Sequence, residues 1–135
     1  IKVAKVCYGT KGCFPNKVKN SNGSILYSSG QCGAATISFV LNNGSYVCMD
    51  DFGDSRFGVK PNGVTIGILV DINGYEKGPN QLGKDIFAFV TAQTGVYPAG
   101  MIGSYTEGDC NLNGRGISCS EYVLREKNMK YLIAK

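Results

Sequence analysis

Residues 36–48 read TISFVLNNGSYVC, and this stretch decides the fold class of the chain. A run of β-branched and aromatic residues precedes Asn43 and Gly44, and a second such run follows them. Asn-Gly between two runs of this kind is a strong hairpin signal, because both residues tolerate the positive φ angles of a type I′ turn. The stretch predicts two antiparallel strands, with Cys48 opposite a residue near Phe39.

Two further apolar segments predict strands of the same sheet. Residues 64–71 are almost continuously apolar, which is typical of a central strand covered on both faces. Residues 85–91 predict a strand with two apolar faces. One face carries Ile86, Ala88 and Val90, and the other carries Phe87 and Phe89.

The first thirty residues predict irregular chain with one short strand at 25–27. Near the other end, residues 120–127 predict a short helix, with Ser120 as its N-cap. Residues 131–133 then predict a short terminal strand or a docking segment.

Two polar, glycine-containing segments, 50–63 and 103–118, predict surface loops. We expect these loops to be available for contacts with other molecules.

Composition favours an ordinary globular domain over residues 1–135, with 19 glycines that suit many tight turns. The net charge of +4 comes mostly from scattered lysines, so we expect no nucleic-acid partner. The chain has no histidine, which excludes Ser-His-Asp and Cys-His sites and removes the commonest general base. We therefore expect no enzymatic activity.

Six cysteines are a high and even count for one domain. Their spacing is looser than a short zinc knuckle, and disulfides are the favoured reading. Disulfides indicate an oxidising, extracytoplasmic compartment. The sequence shows no signal peptide or membrane span, so we expect a targeting segment to have preceded Ile1.

Residues 71–85 form the densest motif, between two predicted strands. One interpretation is a structured loop, since Asp, Asn, Gly and Pro all fix backbone shape. The other is a calcium site, because calcium takes six to eight oxygen ligands. The ligands would be Asp71, Asn73, Asn80 and Asp85, completed by backbone carbonyls and water; the pattern does not match an EF-hand.

The same motif carries a family resemblance. D-I-N-G at 71–74, G-P-N at 78–80 and L-G-K-D-I-F at 82–87 resemble a pattern in the C-terminal domains of type IV pilin-like proteins. The tail from Cys119 to Leu132 and the Asn43-Gly44 hairpin are also similar. The resemblance covers roughly residues 36–135 and leaves the first thirty unassigned.

This resemblance implies a pilin-like α+β head: an antiparallel sheet of about four to five strands with short helical pieces. It implies a structural subunit of a type IV pilus or related filament, whether pilin, minor pilin or type II secretion pseudopilin. Such subunits carry an N-terminal hydrophobic helix that packs on the sheet and joins them to other subunits. That helix is absent here. The resemblance implies that the helix would make the only membrane contact, and that the subunit would pass from an inner-membrane precursor into a surface filament.

Six cysteines allow fifteen pairings, and near neighbours are the default. The resemblance implies a Cys110–Cys119 disulfide that closes a loop near the C-terminus. Two further pairs, Cys7–Cys13 and Cys32–Cys48, then remain.

Other function classes stay open. A stand-alone secreted module could bind carbohydrate or protein through Tyr and Asn on its loops, or a surface or host ligand could be held there. An exported hydrolase is the third class, without an identified nucleophile and base.

Overall fold

The computed structural model describes residues 2–8, 17–27, 37–50, 66–74, 77–92, 95–100 and 107–133. These residues contain one α-helix, α1 (Cys119–Glu126), and a 3₁₀ helix (Lys130–Leu132). Neither helix in these ranges combines the length and the apolar composition that a membrane-spanning helix requires. The strands are β1 (Val3–Tyr8), β2 (Val18–Lys19), β3 (Ile25–Tyr27), β4 (Ile37–Leu41), β5 (Tyr46–Asp50), β6 (Ile66–Asp71), β7 (Ile86–Ala92) and β8 (Gly95–Pro98).

Six of the strands form one antiparallel sheet in the order β1-β4-β5-β6-β7-β8, and β2 pairs with β3 separately. The predicted pilin-like α+β head with four to five strands is therefore wrong, since the described chain is mostly β and has one helix of eight residues. The error lies partly in the first thirty residues. They were predicted to be mainly irregular, but β1 pairs along its length with β4.

The hairpin of β4 and β5 is confirmed, although its turn differs from the predicted type. Gly44 has a φ of 88°, whereas Asn43 does not have a positive φ. A glycine in the left-handed region after a type I turn is the second common way to close a hairpin. The register places Cys48 opposite Ser38 and Val47 opposite Phe39.

One face of the sheet forms the main core. Leu69 on β6 and Ile86, Ala88 and Val90 on β7 are buried there, as the alternation of β7 predicts. Residues from outside the sheet cover this face, namely Val18, Leu82, Ala99 and Ile117.

The opposite face is also apolar but incompletely covered. The cross-strand row Phe39, Val47, Val70 and Phe87 continues on β1 to Val6, which is 45% exposed. A second row joins Ile37, Met49, Ile68 and Phe89. The expectation that the 64–71 strand is covered on both faces is thus met on one face, since Leu69 is buried while Ile68 and Val70 are partly exposed.

Helix α1 covers the β7 end of this second face. Its predicted cap was wrong: Ser118 stands at the N-cap without a side-chain cap bond, and Ser120 donates its hydroxyl to the Ala88 carbonyl. Lys127 in a left-handed conformation ends the helix. The segment predicted as a terminal strand or docking segment is the 3₁₀ helix, in which Tyr131 is buried against Phe87 and Cys119.

Candidate cation site and neighbouring surfaces

Asp71 ends β6 and begins the segment between β6 and β7, residues 72–85, which we call the β6–β7 loop. It lies opposite Tyr46 on β5 and Ile86 on β7, and it is fully buried. Its Oδ1 accepts the backbone N–H groups of Asn73 (3.2 Å) and Gly74 (3.1 Å). This is the local turn that an Asp favours, since its side chain bonds to the backbone two residues on.

Asp85 closes the loop at its other end. Its Oδ2 accepts the N–H of Asn80 at 2.8 Å, and its Oδ1 accepts the N–H of Gln81 at 2.7 Å. The Asp85 carbonyl accepts the N–H of Ile72 at 2.9 Å, so the two ends of the loop are joined beside Asp71.

A side-chain hydrogen bond and two backbone features shape the described residues between these ends. The Asn73 side-chain amide donates to the Gly78 carbonyl at 3.3 Å, and a cis peptide joins Gly78 to Pro79. Asn80 has a φ of 53°, a conformation that Asn tolerates better than most residues. Contacts therefore link the four predicted calcium ligands in a ring, from Asp71 through Asn73, Gly78 and Asn80 to Asp85.

Three oxygens of this ring have no hydrogen-bond partner although they are buried: Asp71 Oδ2, Asn73 Oδ1 and Asn80 Oδ1. In the part of the chain that the structure describes, two other side-chain oxygens share this state, Asn20 Oδ1 and Asp109 Oδ2. Buried polar atoms are normally paired, so each exception requires an explanation such as a water or an ion. Three of the five exceptions in the described residues lie in this one loop.

The electrostatics of the loop are dominated by its two aspartates. Burial raises the pKa of Asp71 to about 6, and the neighbouring Asp85 carboxylate raises it as well, while hydrogen bonds from Asn73 and Gly74 lower it. Within the described ranges the ion pairs join Arg125 to Glu121 and to Glu126, so neither aspartate is paired there. The loop also carries Lys77 and Lys84, but no ion pair within the described ranges joins either lysine to Asp71 or Asp85.

The side chains of this loop could supply the oxygen ligands of a hard cation, with amide oxygens in addition to carboxylates. Across the described ranges, no three His, Cys, Asp or Glu side chains group together as a metal site. A site here would depend on two carboxylates, two amide oxygens and further oxygens from backbone or water, which is a calcium-type set.

The disulfide between Cys110 and Cys119 is present, with Cα atoms 4.7 Å apart. It closes a loop that also bonds to the rest of the domain, because the Ser21 hydroxyl donates to the carbonyls of Asn111 and Gly114. Cys7 and Cys48 are also disulfide-bonded. Their predicted partners, Cys13 and Cys32, lie outside the described residues, as does nearly all of the predicted loop 50–63.

Two concavities adjoin the β6–β7 loop, and Ile72 lines both. The first, of about 460 Å³, is open and of mixed polarity; its lining includes Asn43, Tyr46, Asn73 and Lys77. The second is an apolar groove of about 290 Å³ on the incompletely covered sheet face; its lining includes Val70, Phe87, Phe89, Val123 and Leu124.

Sequence reasoning missed the groove, because its walls come from β6, β7 and α1. It also missed Gln81, whose side-chain amide donates to the carbonyls of Asn20 and Ser21 at 2.9 Å each. Gln81 adjoins the predicted ligand Asn80, but nothing in the sequence indicates partners sixty residues away.

Comparisons of the chain with models of protein families, with curated proteins and with solved structures gave no match.

Proposed function

We propose that this chain is the extracytoplasmic head of a structural subunit in a pilin-like filament on the bacterial surface. The observation that carries the proposal is the second face of the sheet, where two apolar rows cross the strands and end in the groove beside α1. An exposed apolar surface of this kind marks an interaction site, and a subunit that packs an apolar helix on the sheet would cover it. The proposal concerns the role of the chain and not the α+β fold class, which was wrong.

The occupant that fits this face is an apolar helix, supplied by the same subunit ahead of Ile1 and shared with other pilin subunits. Ile37 and Val6 extend the apolar surface to the β1 edge of the sheet, where they are 44% and 45% exposed. Leu124 on α1 is 48% exposed at the opposite border of the face. The five strands from β1 to β7, at a spacing of about 4.8 Å, span roughly 19 Å, which is the length of about three to four turns of α-helix.

The Cys110–Cys119 disulfide supports an exported location, since disulfides persist in oxidising compartments. We accordingly place the head outside the cytoplasm, either on an inner-membrane precursor that faces the periplasm or in a surface filament.

The test is fractionation of cells that express the full-length gene product. We expect to find the chain in filaments sheared from the cell surface. The Leu124→Lys variant should reduce the fraction of the chain found in these filaments, because it places a charge in the groove. A leucine-to-lysine change at position 112 is the matched control, since Leu112 is 38% exposed in the disulfide loop and does not line the groove. Equal effects of the two changes, or free release of the chain into the medium, would contradict the proposal.

The coding sequence upstream of Ile1 gives an independent check. A prepilin cleavage site followed by about 20 apolar residues is expected. An ordinary cleavable signal peptide would instead favour a stand-alone secreted module.

The pocket at Tyr46 favours a second candidate function, a secreted binding module for carbohydrate or protein. It combines an aromatic ring with the side chains of Asn43, Asn73 and Lys77, which suits a polar ligand such as a sugar. Glycan-array binding that is lost on Tyr46→Ala, together with free secretion, would favour this function over the filament subunit.

A further inference from the structure

We propose that the β6–β7 loop binds one calcium ion through side-chain oxygens of Asp71, Asn73 and Asn80. Asp85 provides the second negative charge of the site and fixes the loop backbone on which Asn80 stands. The site does not depend on the filament proposal, because a secreted module would use it equally.

The first argument is the set of buried oxygens without partners. Asp71 is fully buried, and its Oδ1 accepts two backbone N–H groups while its Oδ2 accepts none. The Asn73 amide nitrogen contacts the Gly78 carbonyl, which leaves its Oδ1 as the free oxygen. A buried polar atom left unpaired destabilises the fold, and more so when it is charged, and one cation bound by all three oxygens would remove this cost.

The second argument is charge. A buried water could donate hydrogen bonds to these oxygens, but it would not neutralise the charge of two neighbouring carboxylates. Asp71 and Asp85 interact unfavourably, and neither has an ion pair within the described ranges. A divalent cation satisfies the oxygens and cancels the charge together.

The third argument distinguishes calcium from magnesium. Magnesium requires near-octahedral geometry and keeps several waters, whereas calcium accepts irregular sets that include amide and backbone oxygens. The loop offers two amides beside two carboxylates, and the Asp85 oxygens are already engaged by the backbone. Few free charged ligands imply a modest affinity, with a Kd of roughly 10⁻⁴–10⁻³ M, as in extracellular modules.

The test is calorimetric titration of the chelator-treated protein with calcium chloride at neutral pH. We expect one site, with magnesium binding at least tenfold more weakly. Asp71→Asn is expected to weaken calcium binding at least tenfold, while Asn80→Asp is expected to tighten it, because the added charge faces the ion. Glu126→Gln is the matched control, since it removes one negative charge from exposed α1, and it should leave the affinity unchanged.

The outcomes are decisive in either direction. No heat at about 10 mM calcium, roughly ten times the weakest affinity expected, overturns the proposal. So does loss of binding in Asp109→Asn with retention in Asp71→Asn, because the ion would then occupy the disulfide loop. If Asp71→Asn does not fold, Asn80→Asp decides alone, and an unchanged or weaker affinity in that variant refutes the site.

Discussion

Replacing Gly83 with alanine is expected to destabilise the domain by more than the backbone conformation alone requires. Gly83 has a φ of 80°. A Cβ there would stand 2.7 Å from Cys119 Sγ and 3.4 Å from a ring carbon of Tyr131. The Gly83 carbonyl also accepts the Tyr131 hydroxyl, so this position fixes the C-terminal segment against the loop that precedes β7.

Gly23 provides a matched control for the magnitude. Its φ is 87°, but an added Cβ would meet no heavy atom within 4 Å. The left-handed conformation costs a non-glycine residue about 1–2 kcal/mol, and this cost applies to both positions. Overpacking adds about 1–3 kcal/mol, and it applies to Gly83 alone because the sulfur is held in a disulfide.

The assay is urea or thermal unfolding of both variants under non-reducing conditions. At about 2.1 cal/mol/K per residue, a chain of 135 residues loses about 3–4 °C in Tm per kcal/mol. Gly83→Ala should therefore unfold about 4–10 °C below Gly23→Ala. Equal Tm values would refute the reasoning, as would an undiminished penalty for Gly83→Ala in a background where Cys110 and Cys119 are both alanine.

Three further measurements test other parts of the structure. With chelator present, the stability of the wild type should fall as pH rises from about 4 to 7, because the pKa of Asp71 is about 6 in the folded state against 3.8 ordinarily. The stability that this raised pKa contributes is complete below pH 3.8 and is lost as the pH rises through 6, a change of about 3 kcal/mol. The Asp71→Asn variant retains the neighbours Tyr46 and Asp85, and its urea midpoint should not show this pH dependence. Replacing Cys110 and Cys119 together by alanine should cost about 2–3 kcal/mol, and an unchanged denaturation midpoint would contradict a loop-closing role. Tyr131→Phe should cost about 1–3 kcal/mol, since the Gly83 carbonyl loses its donor, and it should lower the urea midpoint without changing the slope.

Elements whose sequence pattern is local were predicted correctly. The hairpin at Gly44, β3, β6, β7 and α1 all occur close to their predicted positions, because alternation, turn residues and helix-end charges act over a few neighbours. β1 was missed because its partners on β4 are distant in the sequence, from Tyr8 with Ile37 to Val3 with Leu41, and because Lys5 interrupts the apolar pattern of Val3–Tyr8. The predicted fold class was wrong for the same reason. The resemblance implied four to five strands, and the non-local pairing of β1 contributes to a sheet of six strands.

The grouping of Asp71, Asn73, Asn80 and Asp85 in one loop was predictable to a greater extent, because all four lie within fifteen consecutive residues. Which oxygens stay unpaired was not predictable, because it depends on backbone donors. Asp85 uses both carboxylate oxygens on the N–H groups of Asn80 and Gln81, while Asp71 uses one. Gln81 in turn is held by carbonyls at Asn20 and Ser21, so the shape of the loop is fixed partly by the β2–β3 region.

The β6–β7 loop and the apolar groove adjoin each other, and Ile72 belongs to both. Ile72 stands between Asp71 and Asn73, its N–H is bonded to the Asp85 carbonyl, and its side chain, 53% exposed, lines the groove. A cation that holds Asp71, Asn73 and Asn80 together would restrict the backbone of Ile72 and hence the border of the groove. Packing of an apolar helix on the sheet would in turn shield Ile72 from water and limit opening of the loop. The two proposals, although they are tested separately, therefore predict that each ligand strengthens the binding of the other, as linkage between coupled sites requires.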